Sequence, residues 1–338
     1  MCWIFLINLP IGLIGTLAAY LLLHDIAPKP RGERFDLPGA LLFCIGLLSV
    51  LIWLINGIGP GWFSLSVLVF LGVALVAFFS FVFWERRVSY PMLDLSLFAN
   101  RRYAFSVLAA TLQSLAVFAV NFLIIFYLQG VRGYDPLIAA LLILPLPLLT
   151  SVIGPFGGYW ADHDRFNGTS PASVGLVVQI MALILFVFLT PNTPYIILAL
   201  ALGLMGLGGA LFWSPNTSTT MGAAPPKRLG VASATLNTMR NVGMVCSFAV
   251  ALAIAAASMP PALVNAVFLG TVGHLSPAIS SAFTSAMSHA FIASAIICII
   301  ALIFSVVRGG SKRVPATTTS TSSMEPVSPE PSTKRSVS

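Results

Sequence analysis

Arg240 is a charged side chain inside a long apolar stretch. It is the first candidate among the residues of this chain that could bind a molecule or take part in a reaction. Asn237 and Asn241 fall on the same side of a helix, because spacings of three and four residues return to one helical face. The three side chains would form a polar stripe that contacts a bound molecule or stabilises one conformational state. In the alternative, Arg240 extends its charged end towards the water on the side of the Lys227-Arg228 loop, or pairs with backbone carbonyls.

A second polar group lies on another apolar stretch. Thr111, Ser114 and Asn121 fall on one side of a helix, with Phe118 and Phe122 nearby. Amide and aromatic groups suit bulky apolar cations or neutral compounds, so these residues are candidates for lining a binding cavity. In the alternative, they hydrogen-bond across packed helices, which Ser, Thr and Asn commonly do in membranes. Asn121 is the residue that we most expect to line a cavity.

The reactive side chains do not form the patterns that enzymes use. The chain has no nucleophile with a base nearby, no phosphate-binding loop, and no His, Cys or carboxylate spacing typical of a metal site. The four cysteines lie in separate apolar stretches without paired spacing. We therefore expect no enzymatic activity and no cofactor or metal. All ten Asp and Glu residues lie in loops, at junctions or in the tail, so no apolar stretch carries a carboxylate for proton exchange.

The amino-acid composition indicates the kind of secondary structure on which these residues lie. Hydrophobic residues make up 58% of the 338 residues and charged residues 8%, whereas about 25% of a soluble domain is charged. A β-barrel is excluded because its strands alternate polar and apolar residues over about 10 positions. The apolar stretches here are unbroken and about twice that long, the length that crosses a bilayer as a helix. The sequence predicts an all-α polytopic membrane protein.

Charged, proline and glycine residues separate nine apolar runs, each predicted to be a transmembrane helix. Pro145, Pro147 and Pro155 predict a kink in the fifth run. The runs are Trp3 to Leu23, Leu37 to Ile55, Leu65 to Trp84, Ala104 to Leu128, Pro136 to Gly158, Ala172 to Leu189, Tyr195 to Trp213, Ala232 to Ala257 and Ala290 to Val307.

The basic residues predict the orientation of these helices. Alternate connections, counted with the tail, carry 15 Lys and Arg residues on one side and Arg132 alone on the other. Basic residues collect in cytoplasmic loops, so we expect the N-terminus outside and the C-terminus in the cytoplasm. This distribution also explains the net charge of +7 without a nucleic-acid partner. Residues 308–338, rich in Ser, Thr and Pro, are predicted to be a disordered cytoplasmic tail.

Several motifs resemble one family. The segments are WIFLINLPIG at Trp3 to Gly12, PMLDL at Pro91 to Leu95, YLQGVRGY at Tyr127 to Tyr134, and RLGVASA at Arg228 to Ala234, which is followed by RNVG at Arg240 to Gly243. In this order they resemble the fourteen-helix drug:H+ antiporters of the major facilitator superfamily, the EmrB/QacA type. The resemblance covers residues 1 to about 307.

The resemblance implies a partial major facilitator fold and divides the chain into four parts. Residues 1–23 would be the last helix of an incomplete N-terminal bundle, residues 24–103 a two-helix linker region, and residues 104–307 a complete six-helix C-terminal bundle before the tail. The first five helices of the family would be missing. Because the first run begins at Trp3 and is predicted to start outside, we expect the chain to be the later part of a longer protein.

A loop motif of the superfamily, GxxxD(R/K)xGR, has a degenerate copy after the fifth run. Gly158 and Asp162 fit the pattern, Arg165 is slightly displaced, and the second glycine and the last basic pair are absent. Gly158 would permit close helix approach, and Asp162 would face the N-terminus of a neighbouring helix. The resemblance implies a conformational latch, and the alternative is an ordinary polar turn.

Two functions remain open from the sequence. The first is proton-coupled export of an amphipathic drug or metabolite across the plasma membrane by alternating access, with the coupling carboxylate in the missing helices. The second is a non-transporting remnant or membrane interaction protein that needs a separate N-terminal polypeptide. Both place the chain in the lipid bilayer.

Overall fold

The computed structural model describes residues 8–22, 36–56, 63–88, 91, 93–162, 171–258 and 277–308. Their regular structure is entirely helical, as the long apolar runs predicted. The α-helices are α1 (Asn8–Leu22), α2 (Leu37–Asn56), α3 (Leu65–Glu85), α4 (Arg101–Phe126), α5 (Pro136–Ile143), α6 (Pro145–Asp162), α7 (Pro171–Val187), α8 (Tyr195–Gly222), α9 (Leu229–Ser258) and α10 (Pro277–Val307).

The fifth predicted run is broken into two helices. α5 ends at Ile143 and α6 begins at Pro145, because proline has no backbone N–H with which to continue the helical hydrogen bonds. The Tyr195 hydroxyl of α8 donates a hydrogen bond to the Leu142 carbonyl beside the break, at 3.1 Å. The predicted kink is confirmed, and its site is the first of the three prolines.

Two helices are longer than the apolar runs indicate. α8 continues nine residues past Trp213, to Gly222, and α10 begins at Pro277 instead of Ala290. Side-chain hydroxyls in both extensions hydrogen-bond to carbonyls of the preceding turn, Thr220 to Asn216 at 2.7 Å and Thr284 to Ser280 at 3.0 Å. Polar residues of this kind remain helical without extending the apolar run.

Six segments of the described chain are long and apolar enough to cross a membrane, and two apolar helices, Gly12–Leu21 and Pro171–Val187, are shorter. The nine-span arrangement and the direction of each span stay predictions. The six segments are Leu37–Asn56, Leu65–Glu85, Arg101–Val131, Pro136–Trp160, Tyr195–Gly222 and Ser280–Val307.

Helices α4 to α10 share one apolar core. α4 packs against α9 and α10, while α8 packs against α6 and α7. The closest approaches occur at glycines. A Cβ atom at Gly175 of α7 would lie 2.6 Å from the Gly208 carbonyl oxygen of α8, and one at Gly157 of α6 would lie 2.9 Å from the Ala210 carbonyl oxygen. Small residues let helices approach closely in lipid, where the hydrophobic effect does not drive them together.

The YLQGVRGY segment joins α4 to the α7–α8 loop. Its first five residues, Tyr127–Val131, form a π-helical turn after α4. The Tyr127 hydroxyl donates to the Thr190 carbonyl at 2.7 Å, and the Arg132 guanidinium donates to the Pro191 carbonyl at 2.6 Å. Gly133 has a φ of 68°, a conformation that favours glycine. These contacts give the motif a structural role at this end of the bundle.

The remaining helices lie outside this core. α2 and α3 pack against each other through the rings of Phe43, Phe78 and Phe81, and α2 also contacts α9. α1 is almost entirely exposed and makes no extensive contact with another helix among the described residues.

Candidate functional site

The Arg240 side chain lies over an aromatic ring of the neighbouring helix. Its guanidinium carbon is 4.5 Å from the centre of the Trp213 ring on α8. Counting 1.5 Å per residue, Arg240 is about 16 Å from the start of α9 and Trp213 about 14 Å from the end of α8. Because the two helices are consecutive and connected by a short segment, the residues lie at a similar depth. The contact directs Arg240 across to α8.

The predicted polar stripe of α9 is exposed in the described part of the chain. Asn237, Arg240 and Asn241 all lie on the surface, and the Asn237 amide donates to the Ser233 carbonyl at 3.1 Å. A stripe of amide and guanidinium groups facing lipid would be costly. We therefore expect this face to meet a water-filled cavity or another polypeptide in the membrane.

Asn121 lies beside a cluster of phenylalanine rings between α4 and α9. The Phe248 ring centre is 5.2 Å from that of Phe118 and 5.0 Å from that of Phe122, with both pairs nearly perpendicular. Asn121 is half-buried, and its Oδ1 atom has no hydrogen-bond partner among the described residues. A buried amide oxygen without a donor suits a site that accepts a hydrogen bond from a ligand or water.

Thr111 and Ser114 lie where α4 and α9 come closest. A Cβ atom at Gly243 of α9 would lie 3.0 Å from the Ser114 Cβ. The Thr111 hydroxyl donates to the Val107 carbonyl of its own helix at 2.9 Å, and the buried Ser114 hydroxyl has no partner in the described chain. This position agrees with the packing alternative for both residues. Their role in a cavity stays a prediction.

The predicted latch is only partly described. Gly158 is half-buried, and a Cβ atom there would lie 3.0 Å from the Ser214 hydroxyl oxygen, so α6 and α8 are close at this point. Asp162 ends α6, but its side chain and the whole of Arg165 lie outside the described residues. The latch stays a prediction.

A buried arginine, Arg308, was not indicated by the sequence pattern. Arg308 was assigned to the tail, yet it is 5% exposed and donates to the Ser106 hydroxyl of α4 at 3.0 Å and to the Asn216 Oδ1 of α8 at 2.5 Å. Burial lowers the pKa of Arg308 to about 10. The side chain thus connects the ends of three helices. Asn216, a polar residue just past the predicted end of the seventh run, was the available signal.

A second missed contact joins the linker region to the bundle. Asp94 forms an ion pair with Arg228, which also donates to the Ser96 hydroxyl at 2.8 Å. The Asn100 amide donates to the Ala223 carbonyl at 2.9 Å. The contacts hold the segment before α4 against the α8–α9 connection. Asp94 and Arg228 both belong to the family-like motifs, which was the signal for pairing them.

A third missed feature is a pair of buried carboxyl groups, Asp36 and Glu85, between α2 and α3. In the sequence, both residues lie at the junctions between apolar runs and loops. Trp84, next to Glu85, indicated a buried acceptor at this place, because a buried indole N–H usually donates a hydrogen bond.

Comparison with known proteins gives a consistent result. A family model described as Major Facilitator Superfamily matches residues 2–248. The multidrug resistance protein Stp of Mycobacterium tuberculosis (strain CDC 1551 / Oshkosh) is 34% identical over 254 residues, 75% of this chain and 47% of that protein. The methylenomycin A resistance protein of Streptomyces coelicolor is 31% identical over 246 residues, 73% of this chain and 51% of that protein.

The riboflavin transporter RibZ of Clostridioides difficile is 28% identical over 304 residues, 90% of this chain and 62% of that protein. The chain therefore spans about half the length of the curated relatives it matches. The family match extends over more than half of this chain and agrees with its long apolar helices. The chain is an integral membrane protein that belongs to the Major Facilitator Superfamily.

Proposed function

We propose that this chain forms part of a plasma-membrane exporter of small amphipathic compounds, of the fourteen-helix drug:H+ antiporter type. The observation that carries the proposal is the exposed face of α9, where Arg240 lies over Trp213 beside Asn237 and Asn241. Names such as multidrug resistance protein and methylenomycin A resistance protein among the relatives agree with export of drug-like molecules.

The face of α8 and α9 suits a compound with an aromatic ring and hydrogen-bond acceptors. The guanidinium of Arg240 and the amides of Asn237 and Asn241 are donors, and the Trp213 ring offers an apolar surface. The phenylalanine cluster beside Asn121 would accept the apolar part of the same molecule. Binding energy would come mainly from the rings, while the polar groups would orient the compound.

Alternating access requires two bundles that move about a shared site. Helices α4 to α10 supply one of them. The exposed face of α9, and the exposed α6 residues Leu148, Val152 and Phe156, are where the second bundle would pack. In this proposal the second bundle, on the same polypeptide or on a separate one, carries the carboxylate that couples transport to protons. The N-terminus of α1 would lie outside and the C-terminus of α10 in the cytoplasm.

The test is efflux of a fluorescent amphipathic dye from cells that lack their own exporters and that express this chain together with a polypeptide supplying the second bundle. Arg240→Ala should abolish efflux while leaving the amount of protein in the membrane unchanged, and Arg240→Lys should restore part of it. The matched control is Arg87→Ala, because Arg87 also lies over a ring, that of Phe83 at 4.0 Å, but at the end of α3. The control should transport normally.

Two results would contradict the proposal. If Arg240→Ala lowers only the amount of protein and each remaining molecule transports normally, Arg240 is a packing residue. If the unaltered chain gives no efflux even when the second bundle is present, the chain is the non-transporting remnant or interaction protein of the alternative.

A further inference from the structure

Two carboxyl groups meet at one end of the linker pair. Asp36 immediately precedes α2 and Glu85 is the last residue of α3, so the antiparallel packing of the two helices brings them together. Asp36 is 7% exposed and Glu85 is 4% exposed, and the two carboxyl groups are near enough to interact electrostatically. Acidic side chains are seldom buried to this extent without a basic partner.

Each carboxyl group has one satisfied oxygen and one unsatisfied oxygen. Asp36 Oδ1 accepts hydrogen bonds from the Gly39 backbone N–H at 3.0 Å and from the Trp84 indole N–H at 2.9 Å. Glu85 Oε1 accepts one from the Leu93 backbone N–H. Asp36 Oδ2 and Glu85 Oε2 are buried without a partner in the described part of the chain.

The described basic residues near this end do not neutralise the pair. On α3 and just after it, Arg87 lies over Phe83 and Arg86 is exposed. In the segment before α4, the nearest charged group is Asp94, which is paired with Arg228. From α9, the residues that pack against this pair of helices are the apolar Met239 and Val242.

Ionising both carboxyl groups would place two like charges side by side where water is excluded, which is strongly unfavourable. One proton between Asp36 Oδ2 and Glu85 Oε2 satisfies both unpaired oxygens and removes one charge. We propose that Asp36 and Glu85 form a proton-binding site that shares one proton and thereby fastens the start of α2 to the end of α3.

The site is connected to the bundle through two contacts on neighbouring residues. Glu85 accepts a hydrogen bond from the backbone N–H of Leu93, the next residue is Asp94, and Asp94 pairs with Arg228 immediately before α9. Loss of the proton would make the two carboxylates repel each other and loosen the Leu93 segment. The contact is therefore present at low and neutral pH and is lost as the pH rises. This inference does not depend on the proposed export function.

Infrared spectroscopy of the full chain in lipid vesicles tests the site. A protonated carboxyl group gives a C=O stretching band that shifts in D2O, whereas isolated Asp and Glu, with pKa values of about 4, lose it well below neutral pH. The unaltered chain should retain such a band at neutral pH and lose it in alkaline buffer. Glu85→Gln and Asp36→Asn should each remove the neutral-pH band completely, and Asp135→Asn, a control at an exposed carboxyl group just before α5, should keep it.

A stability measurement separates a shared proton from a structural role. The Gln amide of Glu85→Gln can donate to Asp36 Oδ2 as the proton does, so this variant should keep its thermal midpoint in alkaline buffer while the unaltered chain loses stability. Glu85→Ala should be destabilised at every pH.

Three outcomes would overturn the proposal. The first is the absence of a D2O-sensitive carboxyl band from the unaltered chain at neutral pH, which needs no variant to fold. The second is a neutral-pH band that survives both Glu85→Gln and Asp36→Asn. The third is a thermal midpoint that depends on Na+ rather than on pH, which would make the pair a cation site.

Discussion

The C-terminal bundle and the linker pair are both built from apolar helices, but different interactions hold them together. In the bundle, backbones touch at glycines such as Gly175 and Gly208, and hydrogen bonds cross between helices, including the one between Gln113 and Gln179 at 3.2 Å. In the linker pair, large rings fill the contact and the polar groups gather at one end. The bundle is therefore suited to keep one packing arrangement. The two linker helices can move apart at one end without breaking a close backbone contact between helices.

Replacing Gly175 with leucine should have the largest effect, because it breaks the type of contact that distinguishes the bundle. The added side chain meets the Gly208 carbonyl oxygen and the Phe212 backbone nitrogen, which cannot move aside without displacing α8. We expect a loss of about 3 kcal/mol, the upper part of the usual range for overpacking. The measurement is the thermal midpoint of the purified chain in detergent. Gly72→Leu on α3, where nothing lies within 4 Å, is the control and should be nearly neutral.

Replacing Arg308 with methionine tests whether buried polar groups also hold the bundle ends. Asn216 and Ser106 would each lose a donor from the guanidinium, although Asn216 keeps its own bond to the Ser106 carbonyl. A buried polar group left without its partner costs about 1–3 kcal/mol. Chemical denaturation would measure the loss. Arg87→Met, at an exposed arginine, should change stability far less; equal losses in the two variants would show that Arg308 contributes nothing specific.

Replacing Phe43 with alanine should affect the linker pair and spare the bundle. The variant loses ring contacts with Phe78 and Phe81, and each aromatic pair is worth about 0.5–1.5 kcal/mol. Spin labels on α2 and α3 should report a broader distance distribution, while labels on α7 and α8 should not change. Phe79→Ala, at a residue that is 74% exposed, is the control. Broadening within the bundle as well would contradict the separation of the two regions.

Replacing Arg228 with glutamine should have the smallest effect on stability. The ion pair with Asp94 joins the two regions, but the Arg228 side chain is 51% exposed and solvent screens the interaction. Exposed pairs contribute about 0–1 kcal/mol. The difference between the variant and the unaltered chain should shrink further in high salt. A loss that is large and independent of salt would show that this contact is a structural part of the bundle.

The fold was predictable wherever one physical rule decided the local structure. Long uncharged runs predicted the helices, and the three prolines of the fifth run predicted a kink, which the structure shows as a break at Pro145. The start of α10 at Pro277 was missed because its first three turns are held by backbone and hydroxyl hydrogen bonds, which leave no apolar signal.

The candidate site was less predictable, because it depends on contacts between distant residues. Arg240 could be identified as a costly charge, but its position over Trp213, 27 residues earlier, depends on how α8 and α9 pack. Arg308, Asp36 and Glu85 were missed for a related reason. A charge next to an apolar run is normally in water, and only the packed structure shows that neighbouring helices cover these three side chains.

The break between α5 and α6 affects how the bundle can move. A proline break usually acts as a flexible joint, but α8 fastens both sides of this one. Tyr195 binds the Leu142 carbonyl before the break, and Thr150 after it donates to the Gly206 carbonyl at 3.2 Å. α8 therefore limits the movement of α5 and α6 relative to each other at the break. A rearrangement that preserves these two hydrogen bonds has to move α5, α6 and α8 together as one rigid unit.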